Sequence, residues 1–338
     1  MTVSETIRRL PENALRRAGP RWLAVGASAF LVTVLAAGIW AWATGTRADK
    51  PAQRLASPIG ALTQVIHGST GERIVAAGPE GRVAVWDVPG VEPQALDQLS
   101  QAPVTALAMS STGFLLAGTT ENSIVGWQLG GSGEETLKVP KFPAPVSACA
   151  VRPDRMEVAV GLADGSMFFF AKGQKPKRFL SRHAGGVRSI RYHPDGNLFV
   201  TGGADGRLIW RDADSLHIRG ARKAHTNDIS GLAFSDDGAL LASGDYDGWI
   251  SVRDPVTKEP LFEFRQPEAV AGVVFAGPHL VTGSWDGWLR FWSLDSQSTI
   301  GSINTGQPIH AMAVVRDGAA LATVHNTSEV LLWDLPAE

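Results

Sequence analysis

The stretch GDYDGWISVRD, Gly244 to Asp254, holds three aspartates, two of them one residue apart and followed by glycine. Paired carboxylates are the equipment of general acid–base catalysis, and D-x-D-G resembles the start of a calcium loop. The calcium reading fails inside the stretch, because the remaining donor positions carry Trp249, Ile250 and Val252. The other reactive side chains are as sparse. No two of the eight histidines (67, 183, 193, 217, 225, 279, 310 and 325) stand at i, i+4, the spacing of a helical metal pair. Cys149 is the only cysteine and sits in the apolar run ACAV, the setting of a buried, inert thiol. Phosphate-cradling, nucleophile-elbow, zinc-protease and C-x-x-C patterns are absent. No catalytic residue, cofactor or metal is therefore assigned, and the chain reads as a non-enzyme.

Composition narrows the partners. The chain has 338 residues and a net charge of −2, without the basic excess that nucleic-acid binding needs. Abundant glycine with Val, Ile, Leu and aromatic residues favours strands and tight turns.

The aspartates fall into place once the chain is aligned on itself. Asp164-Gly165, Asp205-Gly206, Asp247-Gly248 and Asp286-Gly287 each precede an apolar run, as does Glu80-Gly81. Glu121-Asn122 and Thr327-Ser328 are weaker copies. Six positions on lies a shared slot, held by Trp86, Trp127, Phe170, Arg211, Arg253, Trp292 and Trp333. These slots recur about every 41 residues, the period of a propeller blade. Each copy contains an apolar run, a polar turn, a second run, the acidic turn and a third run, which is the grammar of short antiparallel strands. Asp-Gly between two runs predicts a two-residue hairpin, since glycine adopts positive φ without strain. Asp247 is then a turn residue.

With Trp86-Asp87, Trp333-Asp334, the HPDG at His193–Gly196 and these Asp-Gly turns, residues 51–338 resemble the WD-repeat β-propeller family. The resemblance implies an all-β, seven-bladed propeller that serves as a protein-binding platform. It also implies a structural tetrad within a blade: a turn Asp, a His from the preceding loop, a Ser or Thr, and the Trp. The fourth copy offers Asp205, His183 and Thr201, and the fifth offers Asp247, His225 and Ser243. Both have arginine where Trp belongs, and an arginine there could meet the turn aspartate as an ion pair. The sixth keeps Asp286, Thr282 and Trp292 but has Gln266 in the histidine slot. Residues 51–57 precede the first strand of the first copy, so they are expected to complete the last blade and close the ring.

Residues 22–44 form a different object, WLAVGASAFLVTVLAAGIWAWAT, with no charged residue. About 20 apolar residues in helix span a bilayer, and tryptophans at both ends suit the headgroup region. A single transmembrane α-helix is expected there, between a basic tail (1–21) and a short linker (45–50). The competing reading is a cleaved signal peptide, because Ala41-Trp42-Ala43 fits a small-x-small site, but signal peptides carry shorter apolar regions of about 7–15 residues. Arg8, Arg9, Arg16, Arg17 and Arg21 precede the span and Arg47, Lys50 and Arg54 follow it. The tail is therefore expected in the cytoplasm and the propeller outside, on the periplasmic side of the inner membrane in a bacterial cell.

Two surface features are candidates for contact. Tyr246 and Trp285 stand one residue before the turn Asp in neighbouring copies, and Trp249 and Trp288 one residue after the turn Gly. Repeated aromatics on adjacent blades suit a protein-binding hot spot. The basic run with Lys172, Lys175, Lys177 and Arg178 suits anionic lipid. Two function classes follow. One is a membrane-anchored, non-enzymatic scaffold docking a protein partner at the cell envelope; the other is an extracytoplasmic propeller with a ligand or chemistry in its central funnel. The first is the preferred reading, with no small-molecule substrate expected.

Overall fold

In a computed structural model the structure describes residues 50–67, 73–87, 94–95, 102–129, 137, 139, 141–171, 173–179, 183–315 and 319–335. The expected anchor at 22–44 lies outside the described residues, among which no helix is long and apolar enough to cross a membrane.

Among the described residues, twenty-seven strands form seven antiparallel sheets arranged as the blades of a propeller. A short strand β1 (Gln53–Ala56) comes first. Blade 1 follows, with β2 (Gln64–His67), β3 (Arg73–Ala77), β4 (Val83–Asp87) and β5 (Gln94–Ala95). Blade 2 shows three strands among the described residues: β6 (Val104–Met109), β7 (Phe114–Thr119) and β8 (Ile124–Gln128). Blade 3 comprises β9 (Val146–Val151), β10 (Glu157–Leu162), β11 (Met167–Ala171) and β12 (Lys177–Phe179). Blade 4 comprises β13 (Val187–Tyr192), β14 (Leu198–Gly203), β15 (Arg207–Asp212) and β16 (Ile218–Lys223). Blade 5 comprises β17 (Ile229–Phe234), β18 (Leu241–Asp245), β19 (Trp249–Arg253) and β20 (Pro260–Arg265). Blade 6 comprises β21 (Val270–Ala276), β22 (His279–Ser284), β23 (Trp288–Ser293) and β24 (Ser298–Asn304). Blade 7 holds β25 (Ala311–Val315), β26 (Ala320–Val324) and β27 (Glu329–Asp334), and β1 pairs antiparallel with β27 as its outer strand. The all-β, seven-bladed propeller expected from the repeats is confirmed, and the N-terminal segment closes it.

Blades meet through apolar seams. In blades 3 to 6 the first residue of the inner strand is a fully buried branched side chain such as Val146 or Val187. It presses on a glycine in the second strand of the preceding blade. A Cβ on Gly118 would lie 2.3 Å from a Val146 methyl, and one on Gly161 2.5 Å from a Val187 methyl. The LAG and AVG sequences of these strands thus mark where one blade admits the next.

The turns differ from expectation in one respect. Between β18 and β19 the loop is three residues, Tyr246, Asp247 and Gly248, and of these only Gly248 has positive φ, at 84°. A two-residue type I′ turn would need positive φ at Asp247 as well; the observed form is a type I turn ended by a left-handed glycine. Asn122, at φ 65°, takes the glycine role in blade 2.

Candidate protein-docking surface

The histidine-bearing loops and the acidic turns lie together on one face of the ring, where four blades build polar links beneath the surface. In blade 4, His183 Nδ1 lies 2.9 Å from Asp205 Oδ1 and Nε2 lies 2.8 Å from Thr201 Oγ1. With Nδ1–H donating to the carboxylate, Nε2 accepts the threonine hydroxyl, so the neutral imidazole satisfies both partners.

Blade 5 corrects the sequence reading. His225 Nδ1 lies 3.0 Å from Asp245 Oδ2, not on Asp247, and Nε2 lies 2.7 Å from Ser243 Oγ. The cause is the residue two places before the turn aspartate. In blade 4 that residue is Gly203, where a Cβ would lie 2.2 Å from His183 Nδ1, so only glycine lets Asp205 reach the ring. In blade 5 the same place holds Asp245, fully buried, which takes the histidine itself and also accepts N–H bonds from Asp247 and Trp249 at 2.9 Å. Asp247 is displaced to the surface, where Asn227 and Thr226 donate to it at 2.9 and 3.2 Å. Asp254, the third carboxylate, caps the next loop by accepting the Val256 N–H at 2.7 Å. The three aspartates are a buried link, a surface turn and a cap. No cluster of metal-ligating side chains occurs among the described residues.

In blade 6, Trp292 Nε1 donates to Thr282 Oγ1 at 2.9 Å, and Thr282 donates to Gln266 Oε1 at 2.8 Å. Asp286 turns away to Arg290, which grips it with two N–H groups at 3.2 and 2.6 Å. Blade 7 contains a link that the alignment missed. Trp333 Nε1 donates to Thr323 Oγ1 at 2.8 Å, and Thr323 meets His325 Nε2 at 2.7 Å. Its signal was present: Thr323 and Trp333 are ten residues apart, as are Thr282 and Trp292. The histidine comes from the strand end rather than the preceding loop, so a template keyed on that loop passes over it.

Arg211 and Arg253, in the tryptophan slot, do not pair with turn aspartates. Each donates Nη1–H at 3.1 Å to a backbone carbonyl, Leu216 O and Lys258 O respectively. Both acceptors have positive φ, 61° and 69°, so the arginine clamps a tight loop between the third and fourth strands. Cys149 is buried, and burial pushes its thiol up to about 12, leaving no thiolate for chemistry.

Above this frame sits an aromatic pair. The turn of blade 5 carries Tyr246 and that of blade 6 carries Trp285, and their rings lie 5.3 Å apart at 36°. They are 39% and 49% exposed, so the pair stacks on itself without being sealed between blades. Burial raises the Tyr246 phenol above its ordinary value, with Arg188 opposing, so it is a neutral hydroxyl at physiological pH. Tyr246 and Arg188 both line the mouth of the central channel, and Arg188 is held by Asp228 through Nη2 at 2.7 Å. Trp249 is 40% exposed but lies toward the rim, its ring 5.1 Å from the Arg265 guanidinium. Trp288 is half-buried. The structure therefore brings Tyr246 and Trp285 together and leaves Trp249 and Trp288 outside that pair. Lys175, Lys177 and Arg178 are exposed on and before β12, the outer strand of blade 3, while Lys172 lies outside the described residues.

This is a seven-bladed β-propeller with a hydrogen-bonded frame beneath an aromatic patch. Residues 174–211, 218–254 and 259–293 match the family described as WD domain, G-beta repeat. Cell division cycle 20.4, cofactor of APC complex, from Arabidopsis thaliana is 24% identical over 282 residues, 77% of this chain and 60% of that protein. Telomerase protein component 1 from Rattus norvegicus is 26% identical over 60% of this chain but only 8% of its own length. The chain thus spans at most 60% of these two relatives. A chain in a crystal structure of the mitotic checkpoint complex superposes with a TM-score of 0.76 over 86% of this chain and 96% of its own, at 17% identity, which shows the fold. The family model thus matches three repeats, less than half of the chain, while the seven-bladed fold extends through the whole ring.

Proposed function

We propose that this chain is a non-catalytic WD-repeat scaffold that docks a protein partner at a membrane. Residues 22–44 tether it, and the propeller stands on the side opposite the arginine-rich tail, in the periplasm of a bacterial cell. The observation that carries the docking reading is the exposed, mutually stacked Tyr246–Trp285 pair at the channel mouth. Aromatic side chains supply much of the energy of protein interfaces at low entropic cost. The relative named a cofactor of the APC complex is consistent with a propeller working inside a protein assembly. The tether rests on the uncharged span and its flanking charges.

The test compares full-length wild type with Tyr246→Ala/Trp285→Ala in mild detergent, using quantitative mass spectrometry after cross-linking. A partner that depends on the pair should be captured well over tenfold less by the variant, since loss of a hot-spot aromatic costs at least about 2 kcal/mol. Thermal stability should stay near the parent's, because the rings are exposed. Equal capture would place the docking face elsewhere. Lys175→Ala/Lys177→Ala should spare protein capture; weaker association with anionic liposomes would support lipid contact. For the tether, a reporter active only outside the cytoplasm, fused after Glu338, should be active; strong activity of a cytoplasm-only reporter there overturns the orientation.

A further inference from the structure

The inner strands enclose a channel of about 2130 Å³ through the ring. Its wall is mostly small and apolar. Ala108, Ala150, Ala233 and Val274 occupy the fifth position of β6, β9, β17 and β21, and all line the channel. The fifth position of β13 is Arg191. Few other charged side chains or histidines share the lining: Arg188, Asp236, His279 and His310. Arg188 is committed to Asp228 at the mouth. Arg191 forms no ion pair among the described residues, and its side chain donates to the carbonyl of its own neighbour, Ile190, at 2.9 Å. The guanidinium is accessible from the channel. Desolvation by the surrounding wall lowers its pKa, but Arg191 keeps an exposed surface, so water in the channel screens that cost.

An exposed cation without a partner, set between apolar low-dielectric walls, focuses positive potential into the channel and draws an anion to it. Each inner strand is also the end of its sheet, so its channel edge presents backbone N–H groups without strand partners. A planar guanidinium offers two parallel donors that match the oxygens of a carboxylate or phosphate. We propose that the channel binds a small oxyanion, carboxylate or phosphate, at Arg191, with inner-strand edge N–H groups completing its hydrogen bonds. This site stands independently of the Tyr246–Trp285 docking surface.

The experiment titrates full-length protein in mild detergent with inorganic phosphate and, separately, with citrate, by calorimetry at low ionic strength, with thermal melting in parallel. Saturable binding of either anion, accompanied by a higher melting temperature, is expected. Phosphate alone or citrate alone defines the class, and both together define a general oxyanion site. Arg191→Gln should weaken binding by about tenfold or more, the loss expected for hydrogen bonds to a charged group, while Lys177→Ala on the outer strand leaves it unchanged. Absence of saturable binding to both anions, or binding to Arg191→Gln within twofold of wild type, overturns the site. Should Arg191→Gln fail to fold, Arg191→Lys preserves the charge but not the paired donors; weakened binding then supports the site and unchanged binding refutes it.

Discussion

Blades 4 to 7 and blades 1 to 3 solve the same problem by different means. In the later blades a buried hydroxyl, Thr201, Ser243, Thr282 or Thr323, links the second strand to a histidine or glutamine side chain. Ten residues before the shared slot, the earlier blades have Ala76, Ala117 and Val160, with Trp86, Trp127 and Phe170 in the slot itself. These blades rely on apolar contact: Trp86 and Ala76 lie in one buried cluster, and Phe170 and Val160 in another. One cost is visible. Trp86 Nε1 is buried without a hydrogen-bond partner, where Trp292 and Trp333 each find a threonine. Hydrogen-bonded links fix orientation as well as contact, whereas apolar seams tolerate more than one side chain of suitable volume. The residues matching the WD-repeat family, 174–293 with short gaps, fall largely in the linked part of the ring.

The largest effect should come from cutting a link. Asp245→Ala removes the partner of buried His225 and two backbone caps, and should destabilise the ring by about 3 kcal/mol in urea denaturation. Asp247→Ala, which touches only surface donors, should melt near the parent's temperature, and calcium or a chelator should shift neither protein. Equal damage from the two variants would break the distinction between link and turn. A smaller effect of opposite sign should follow from Ala76→Ser, which gives the orphaned Trp86 N–H an acceptor and gives blade 1 the link of blades 6 and 7. A gain of about 1 kcal/mol is expected, measured as a higher melting temperature. No gain would mean that apolar contact alone already satisfies that blade.

The smallest effect is acid sensitivity. Burial lowers the pKa of His183 and of His325 below the ordinary value of 6.5, so the fold favours their neutral forms. The stability they contribute is present above about pH 6.5 and is lost as pH falls through their folded-state values. Melting temperature should therefore decline on acidification from pH 7 to 5, and His183→Gln, copying Gln266 of blade 6, should flatten that decline. Blades 2 and 3 contain no histidine and have no such switch.

Periodicity revealed the seven blades, the closing strand and the matched positions of Tyr246 and Trp285, because each follows from side-chain spacing that every copy repeats. The identity of the linking aspartate was not legible, since it turns on whether Gly203 or Asp245 occupies the place beside the histidine. GADG and GDYDG carry that difference in plain view, but only the close approach at Gly203 gives it meaning. The arginine clamps were hidden for another reason. Their acceptors are backbone carbonyls, which every residue has, so Leu216 and Lys258 leave no compositional trace.

The closing strand also sets an order of events in time. Arg54 on β1 and Glu329 on β27 form an ion pair across 275 residues of chain. β1 is synthesised before the strands of the seven blades and meets its partner β27 last, after six other blades have emerged. Until then the nascent chain holds an open arc with an unpaired edge at each end, and contacts of such long sequence separation are slow to form. Blade 7 is thus the step that converts a growing row of hairpins into one cooperative ring, and the interval before it is when the chain is most open to joining a neighbour instead of itself.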